Sequence, residues 1–206
     1  MFLTDALLAV LYPQSCRICG GSVERHRYGV ACEACWATHI DPDDDPRAIG
    51  FYEGALRESV LWLKRQPYVP QHVESSVTEV VRREPLSCST RVIPVPLHPK
   101  RLRTRGFNQA SIIGQAAAKA LELPLDEVSL VRVSTTEKYR AGMDAKGRRD
   151  TVAGAFRVTH PRLVAGESIL LVDDVFTTGA TVSACAEVLV AAGAGNIFVL
   201  TVARAR

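Results

Sequence analysis

Aromatic residues are scarce in this 206-residue chain: Phe, Trp and Tyr together make up 6% of it. A surface that holds nucleic-acid bases by stacking alone needs several aromatic platforms. Only Phe107 and Tyr139 fall within its basic stretches. A strong excess of one charge is also missing. A net charge of +3 is too small, taken alone, to name nucleic acid as the partner. No apolar run approaches the roughly 20 residues that cross a bilayer as a helix, so no membrane insertion is expected. Met1 to Pro13 is apolar but short; it carries Asp5 rather than a basic start and shows no small-residue cleavage site. It reads as an amphipathic helix packed on the adjoining domain, and a cytoplasmic location is the expectation. Internal repeats and low-complexity tracts are absent. What is present is the balance of a globular protein, 47% hydrophobic and 23% charged, at a length that suits one full domain with a small appendage.

Six cysteines are unevenly placed. Four form two pairs, Cys16-x-x-Cys19 and Cys32-x-x-Cys35. Each pair can fold as a knuckle that aims two thiolates at one point, and Gly20 and Gly21 supply the turn after the first. Four thiolates at this spacing select Zn²⁺, and with no open coordination position the metal is structural. The competing reading is four reduced, buried thiols. His26 and His39 are spare nitrogen donors that such a site does not need. Cys88 and Cys185 stand alone as surface or core thiols, Cys185 on an apolar helix face with Val182 and Leu189.

Residues 41–50, DPDDDPRAIG, read as an acidic linker. This divides the chain into a zinc-ribbon module with its leading helix, residues 1–48, and a larger domain, residues 49–206. In the latter, helices are predicted over 53–66, with Leu56, Val60 and Leu63 on one stripe, and over 71–83. A β-rich segment at 91–96 leads into a basic loop, 97–107, and a helix over 108–121 with Ile112, Ala116 and Ala120 on one face. Strands are expected at 127–133 and 154–159, joined by a long polar loop, and at 167–174. A helix then runs to about Ala192, Gly193 ends it, and 196–203 form a last strand. Alternating strands and helices argue for an α/β fold with a parallel sheet flanked by helices.

Ile169 to Thr181, ILLVDDVFTTGAT, carries the most chemistry. A buried strand ends in Asp173 and Asp174, and then come a hydroxyl- and glycine-rich turn and a helix. Ligands of such sheets sit at the carboxyl ends of strands. A helix N-terminus offers unpaired N–H groups to a phosphate. Gly179 allows close approach, Thr177, Thr178 and Thr181 add hydroxyls, and the two acids can accept from a diol. Phosphate on one side and a diol on the other make a ribose 5-phosphate site. A capped helix after a strand is the plainer alternative, but a cap needs one polar residue rather than this many.

The segment resembles the motif with which type I phosphoribosyltransferases bind 5-phosphoribosyl-1-pyrophosphate (PRPP). More narrowly, VIPVPLHPKRLRTRGFNQA (92–110), together with the cysteine pairs, resembles the ComF family, over nearly the whole chain. The resemblance implies a type I phosphoribosyltransferase fold with a flexible hood loop and a small N-terminal zinc ribbon. It implies that Asp173 and Asp174 hold the ribose hydroxyls and act in catalysis. Thr177, Thr178, Gly179, Ala180 and Thr181 would wrap the 5-phosphate. Lys100, Arg101, Arg105 and Gly106 would face pyrophosphate, with Mg²⁺ bridging pyrophosphate and ribose oxygens. Lys138, Arg140 and Arg148, in the polar loop, would belong to the hood. Tyr139-Arg140 stands where the family usually has glutamine, and Thr151 where it has asparagine, so no acceptor base is legible.

Two functions fit these residues. One is an enzyme that transfers phosphoribose from PRPP to a nucleophile or cleaves PRPP-like substrates. The other is a competence-associated factor that handles single-stranded DNA, with helicase or channel proteins as partners, and uses the fold without turnover. A pure interaction protein with a vestigial site is disfavoured by the intact DD-x-x-TTGAT.

Overall fold

The computed structural model describes residues 13–38, 47–133 and 154–206. The segment predicted as a leading helix, most of the stretch read as an acidic linker and the predicted hood residues Lys138, Arg140 and Arg148 lie outside the described residues, as does His39.

Four strands form one parallel sheet in the order β1-β6-β5-β2: β1 (Ala48–Phe51), β2 (Arg91–Pro94), β5 (Ser168–Phe176) and β6 (Asn196–Arg204). The central pair runs in register from Ser168↔Asn196 to Phe176↔Arg204. Alternation along β5 divides the core. Leu170 and Val172 face one side, packed with α2 (Gly54–Leu63), α3 (Gln71–Val81) and α5 (Gln109–Leu121). Ile169 and Leu171 face the other, against Val182, Cys185 and Leu189 of α6 (Ala180–Ala191). A parallel strand covered on both faces needs apolar residues at every position, which is why ILLV reads as an unbroken run. The predicted stripe of Leu56, Val60 and Leu63 is fully buried.

Two expectations change and a third is refined. The strand β1 begins at Ala48 inside the stretch read as linker and pairs with β6, Ala48 opposite Thr201. Its sequence, AIGF, is too short to show a period. The basic stretch is not a loop: Pro99–Arg105 forms a helix, α4. The His98 ring accepts from the Lys100 N–H, Pro99 sits in the first turn, and Gly106 ends the helix at φ 83°. Proline just inside the start and glycine just past the end were the available signals. In α5 the buried face holds Ala110, Ile113, Gly114, Ala116 and Ala117; of the predicted Ile112, Ala116 and Ala120, Ala116 is buried in the core, Ala120 packs partly against it, and Ile112 is half-buried. Gly114 lies against Val92 and Leu125, where a Cβ would come within 3.2 Å of Leu125.

The predicted strands 127–133 and 154–159 shorten to β3 (Leu130–Arg132) and β4 (Phe156–Val158), an antiparallel pair apart from the main sheet. The cysteine segment contributes one short helix, α1 (Glu33–Ala37). It packs on the body through rings: His72 of α3 lies between Tyr28, centroids 3.9 Å apart, and Trp36, stacked at 5.1 Å. Among the described residues no helix is long and apolar enough to cross a membrane.

Candidate functional site

The carboxyl end of β5 carries the predicted acids. Side chains of successive strand residues point to opposite faces. Asp174 therefore shares the side of Leu170 and Val172, where the ends of α2 and α5 approach. Lys64, the C-cap of α2, places Nζ 3.2 Å from Asp174 Oδ2. Gln109, the first residue of α5, places Nε2 3.4 Å from the same oxygen. Arg105 donates in turn to the Gln109 side-chain oxygen. Asp174, 8% exposed, is thus tied to two cations, one directly and one through an amide.

Asp173 turns toward the α6 side. Its Oδ1 accepts from the Asp174 N–H at 2.8 Å. Burial first, and then the Asp174 carboxylate, push Asp173 up to about 8, while Lys64 pulls weakly the other way. The buried Cys185 thiol is held well above its usual range by burial and by nearby Asp173. The two acids therefore differ: Asp174 has cationic partners and Asp173 favours the protonated form near neutrality.

Beyond the acids the chain turns at Gly179 (φ 73°), the N-cap of α6. A Cβ there would also come 2.9 Å from Phe176 Cζ. Two independent conditions thus require glycine, one conformational and one steric. Thr177 and Thr178 are exposed, Thr181 is half-buried and Ala180 is buried. The first N–H groups of α6 open onto this turn, which joins acceptor carboxylates to free donors.

The basic residues divide. Lys100, Arg101 and Arg103 are exposed on α4, and Arg105 is half-buried toward Gln109 and Asp174. Gly106 closes the helix, its N–H donating to Leu102 O at 2.8 Å. Asn108 caps α5 through the Ala110 N–H and also donates to Val95 O at 3.0 Å, which fixes α4 and α5 at the end of β2. Beside them a cleft of about 400 Å³ is lined by Leu97, Leu102, Phe107, Ile112 and Leu125. Lys64 and Gln109 were not among the predicted site residues. The i, i+4 spacing of Arg105 and Gln109 was a readable hint; nothing local marks Lys64 as the partner of a residue so distant in sequence.

The other constellation is the cysteine cluster. The Sγ atoms of Cys16, Cys19, Cys32 and Cys35 all lie within 4.8 Å of one another, Cys19 and Cys32 at 3.7 Å. A tetrahedral site with metal–sulfur bonds of about 2.3 Å needs sulfurs roughly 3.8 Å apart, so the donor set and its spacing fit Zn²⁺. Neighbouring Cys32 and Cys19, then burial, push the Cys35 thiol up to about 12 in the bare cluster. A divalent cation removes that mutual repulsion.

No family model matches the chain. Sequence relatives do. Competence protein F of Haemophilus influenzae is 34% identical over 131 residues, 63% of this chain and 57% of that protein. The chain is similar in sequence to competence protein F. The DNA utilization protein YhgH of Escherichia coli O157:H7 is 34% identical over 119 residues, covering 58% of this chain and 51% of that protein. Competence protein ComFC of Bacillus subtilis is 23% identical over 189 residues, 86% of this chain and 72% of that protein. The chain spans about half the length of the first two. These relatives bear out the ComF resemblance read from residues 92–110 and the cysteine pairs. A solved glutamine PRPP amidotransferase from B. subtilis aligns over 63% of this chain and 26% of its own, at 18% identity and a TM-score of 0.42.

Proposed function

We propose that this protein binds PRPP or ribose 5-phosphate at the end of β5, as a ComF-type phosphoribosyltransferase-like protein with a structural zinc in its N-terminal module. The observation that carries the reading is the joining of the Asp173-Asp174 pair to a helix N-terminus through the glycine-bound turn Thr177–Thr181. In it, Asp174 accepts from the ribose diol and the turn N–H groups and hydroxyls hold the 5-phosphate. Lys100, Arg101 and Arg105 face the pyrophosphate, and Lys138, Arg140 and Arg148, outside the described residues, are assigned to the same ligand as hood residues. Among the described residues the only cluster of three or more metal-ligating side chains is the cysteine one. Mg²⁺ would therefore arrive on the pyrophosphate oxygens rather than in a protein cage, as suits its preference for few carboxylates. As an enzyme the protein would act by position and charge, holding the ribose and stabilising the departing pyrophosphate. We assign residues 1–48 to the zinc module and 49–206 to the ligand-binding domain, and place the protein in the cytoplasm.

A second reading has its own support: handling of single-stranded DNA. Lys100, Arg101 and Arg103 are exposed together beside the Phe107 cleft, and relatives are named for DNA utilization and competence. Helicase or channel components of DNA uptake would then be its partners.

Calorimetric titration with PRPP and Mg²⁺ tests the first reading. Saturable binding is expected, and Asp174→Asn should weaken it about tenfold or more, the loss of a hydrogen bond to a charged group. Affinity unchanged in that variant contradicts the assignment. Pyrophosphate release across a panel of nucleobases decides whether binding leads to turnover. For DNA, affinity should fall with salt at a log–log slope of about −0.7 per phosphate contact, and replacing Arg101 and Arg103 by alanine should flatten it by about 1.4. A slope unaltered by those replacements removes α4 from the DNA surface.

A further inference from the structure

A vicinal diol asks for two kinds of partner. Each hydroxyl donates one proton and accepts through its lone pairs, whereas an ionised carboxylate only accepts. An acid pair alone therefore satisfies half of the diol. A site that tells a hydroxyl from its absence gains most of its discrimination from buried polar groups that would otherwise go unpaired. The donor half should lie within hydrogen-bonding distance of the acid, come from a rigid element and still be reachable from solvent.

Lys64 meets each condition. Its Nζ is 3.2 Å from Asp174 Oδ2, its side chain is 35% exposed against 11% for Asp174, and it stands at the C-cap of α2, whose Val60 and Leu63 are fully buried. The ammonium has three protons, and Asp174 takes one. Gln109 donates to the same carboxylate oxygen, its own amide oriented by Arg105. Asp174 is thus held in place by two helices, with a cation beside it that has donors to spare.

We propose that Lys64 is the donor half of the sugar site: the ribose 3-hydroxyl donates to Asp174 and the neighbouring 2-hydroxyl accepts from Lys64, so that Lys64 selects ribose over 2-deoxyribose. This rests on reading the β5–α6 turn as a phosphoribose site. The plainer alternative is a structural ion pair that only neutralises a buried acid. The two roles part in what they do to specificity. Loss of a structural partner weakens every sugar phosphate alike, while loss of a hydroxyl donor removes the advantage of the ligand that has the hydroxyl.

The experiment titrates the zinc-loaded full chain with ribose 5-phosphate, 2-deoxyribose 5-phosphate and inorganic phosphate. Wild type, Lys64→Met and Lys64→Gln are compared, each checked for an unchanged melting profile. Wild type is expected to prefer ribose 5-phosphate about tenfold or more. Lys64→Met should bring the two sugars to within about twofold, with inorganic phosphate bound as before, and Lys64→Gln, which keeps a donor without the charge, should retain part of the preference. A preference undiminished in Lys64→Met, an equal loss for both sugars, or no preference in wild type overturns the role of Lys64 and leaves the phosphate site standing. If wild type binds none of the three, the phosphoribose reading itself fails.

Discussion

The buried cluster of the cysteine module consists of Cys16, Val23, Tyr28 and Cys32. The sheet body buries Leu56, Leu63, Ile113, Leu170 and Leu200 on one face of β5 and its neighbours, and Ile169, Leu171 and Leu189 on the other. Fully burying one such side chain contributes about 1.5–3 kcal/mol, so the body has a hydrophobic core and the module has almost none. What the module has instead is four sulfurs aimed at one point. One region is organised by apolar burial and the other by a donor set that fits a tetrahedral cation.

The largest expected effect separates them. A strong chelator, or Cys32→Ser, should abolish order over residues 13–38, because structural zinc supplies about 10–16 kcal/mol of apparent binding energy in modules of this kind. Hydrogen exchange should then accelerate there and stay slow in β5 and β6. Loss of protection throughout the chain would join the two regions into one cooperative unit, coupled through the His72 stack. The converse change is Leu171→Ala, a fully buried site. It should cost about 2–5 kcal/mol in denaturant unfolding of the body while leaving zinc stoichiometry at one per chain.

A smaller effect is expected at the turn. Gly179→Ala meets both a left-handed backbone and the Phe176 ring. It should lower stability by about 1–3 kcal/mol and weaken phosphate binding, as measured by melting and by titration. An alanine variant with unaltered melting would show the turn to be more permissive than its geometry implies. The smallest effect is a gain. Asp173 is held protonated up to about pH 8, so the native state binds more protons than the unfolded chain between the ordinary carboxylate range and that value. Stability therefore falls as pH rises through this window. Asp173→Asn removes the titration and should stabilise the ligand-free protein by about 1 kcal/mol, discounted from the full shift because the group is partly accessible. The gain should grow from pH 5 to pH 8 and then level. A gain independent of pH would place the strain elsewhere than in the charge.

How much of this was legible varies with locality. The strand–turn–helix at 168–191 was read almost residue for residue, because a buried parallel strand writes a continuous apolar run and the turn after it requires polar and glycine residues. The cysteine pairs were equally local. The helix Pro99–Arg105 was missed because a run of cations has no apolar period, although His98, Pro99 and Gly106 marked its ends. The strand Ala48–Phe51 owes its conformation to its pairing with β6, a contact across most of the chain that no window of sequence contains. Lys64 is the same kind of case: its place at a helix end is local, its meeting with Asp174 is not.

The central claim is that the turn after β5 receives a phosphorylated sugar. The N-terminal amides of α6 have no intrahelical acceptor, so in the free protein they should exchange quickly. Hydrogen exchange of the full chain, with and without saturating PRPP and Mg²⁺, reads this directly. The account predicts slowed exchange over residues 177–182, with about tenfold more PRPP needed for the same protection in Asp174→Asn. PRPP that binds but leaves residues 177–182 exchanging as before would contradict it.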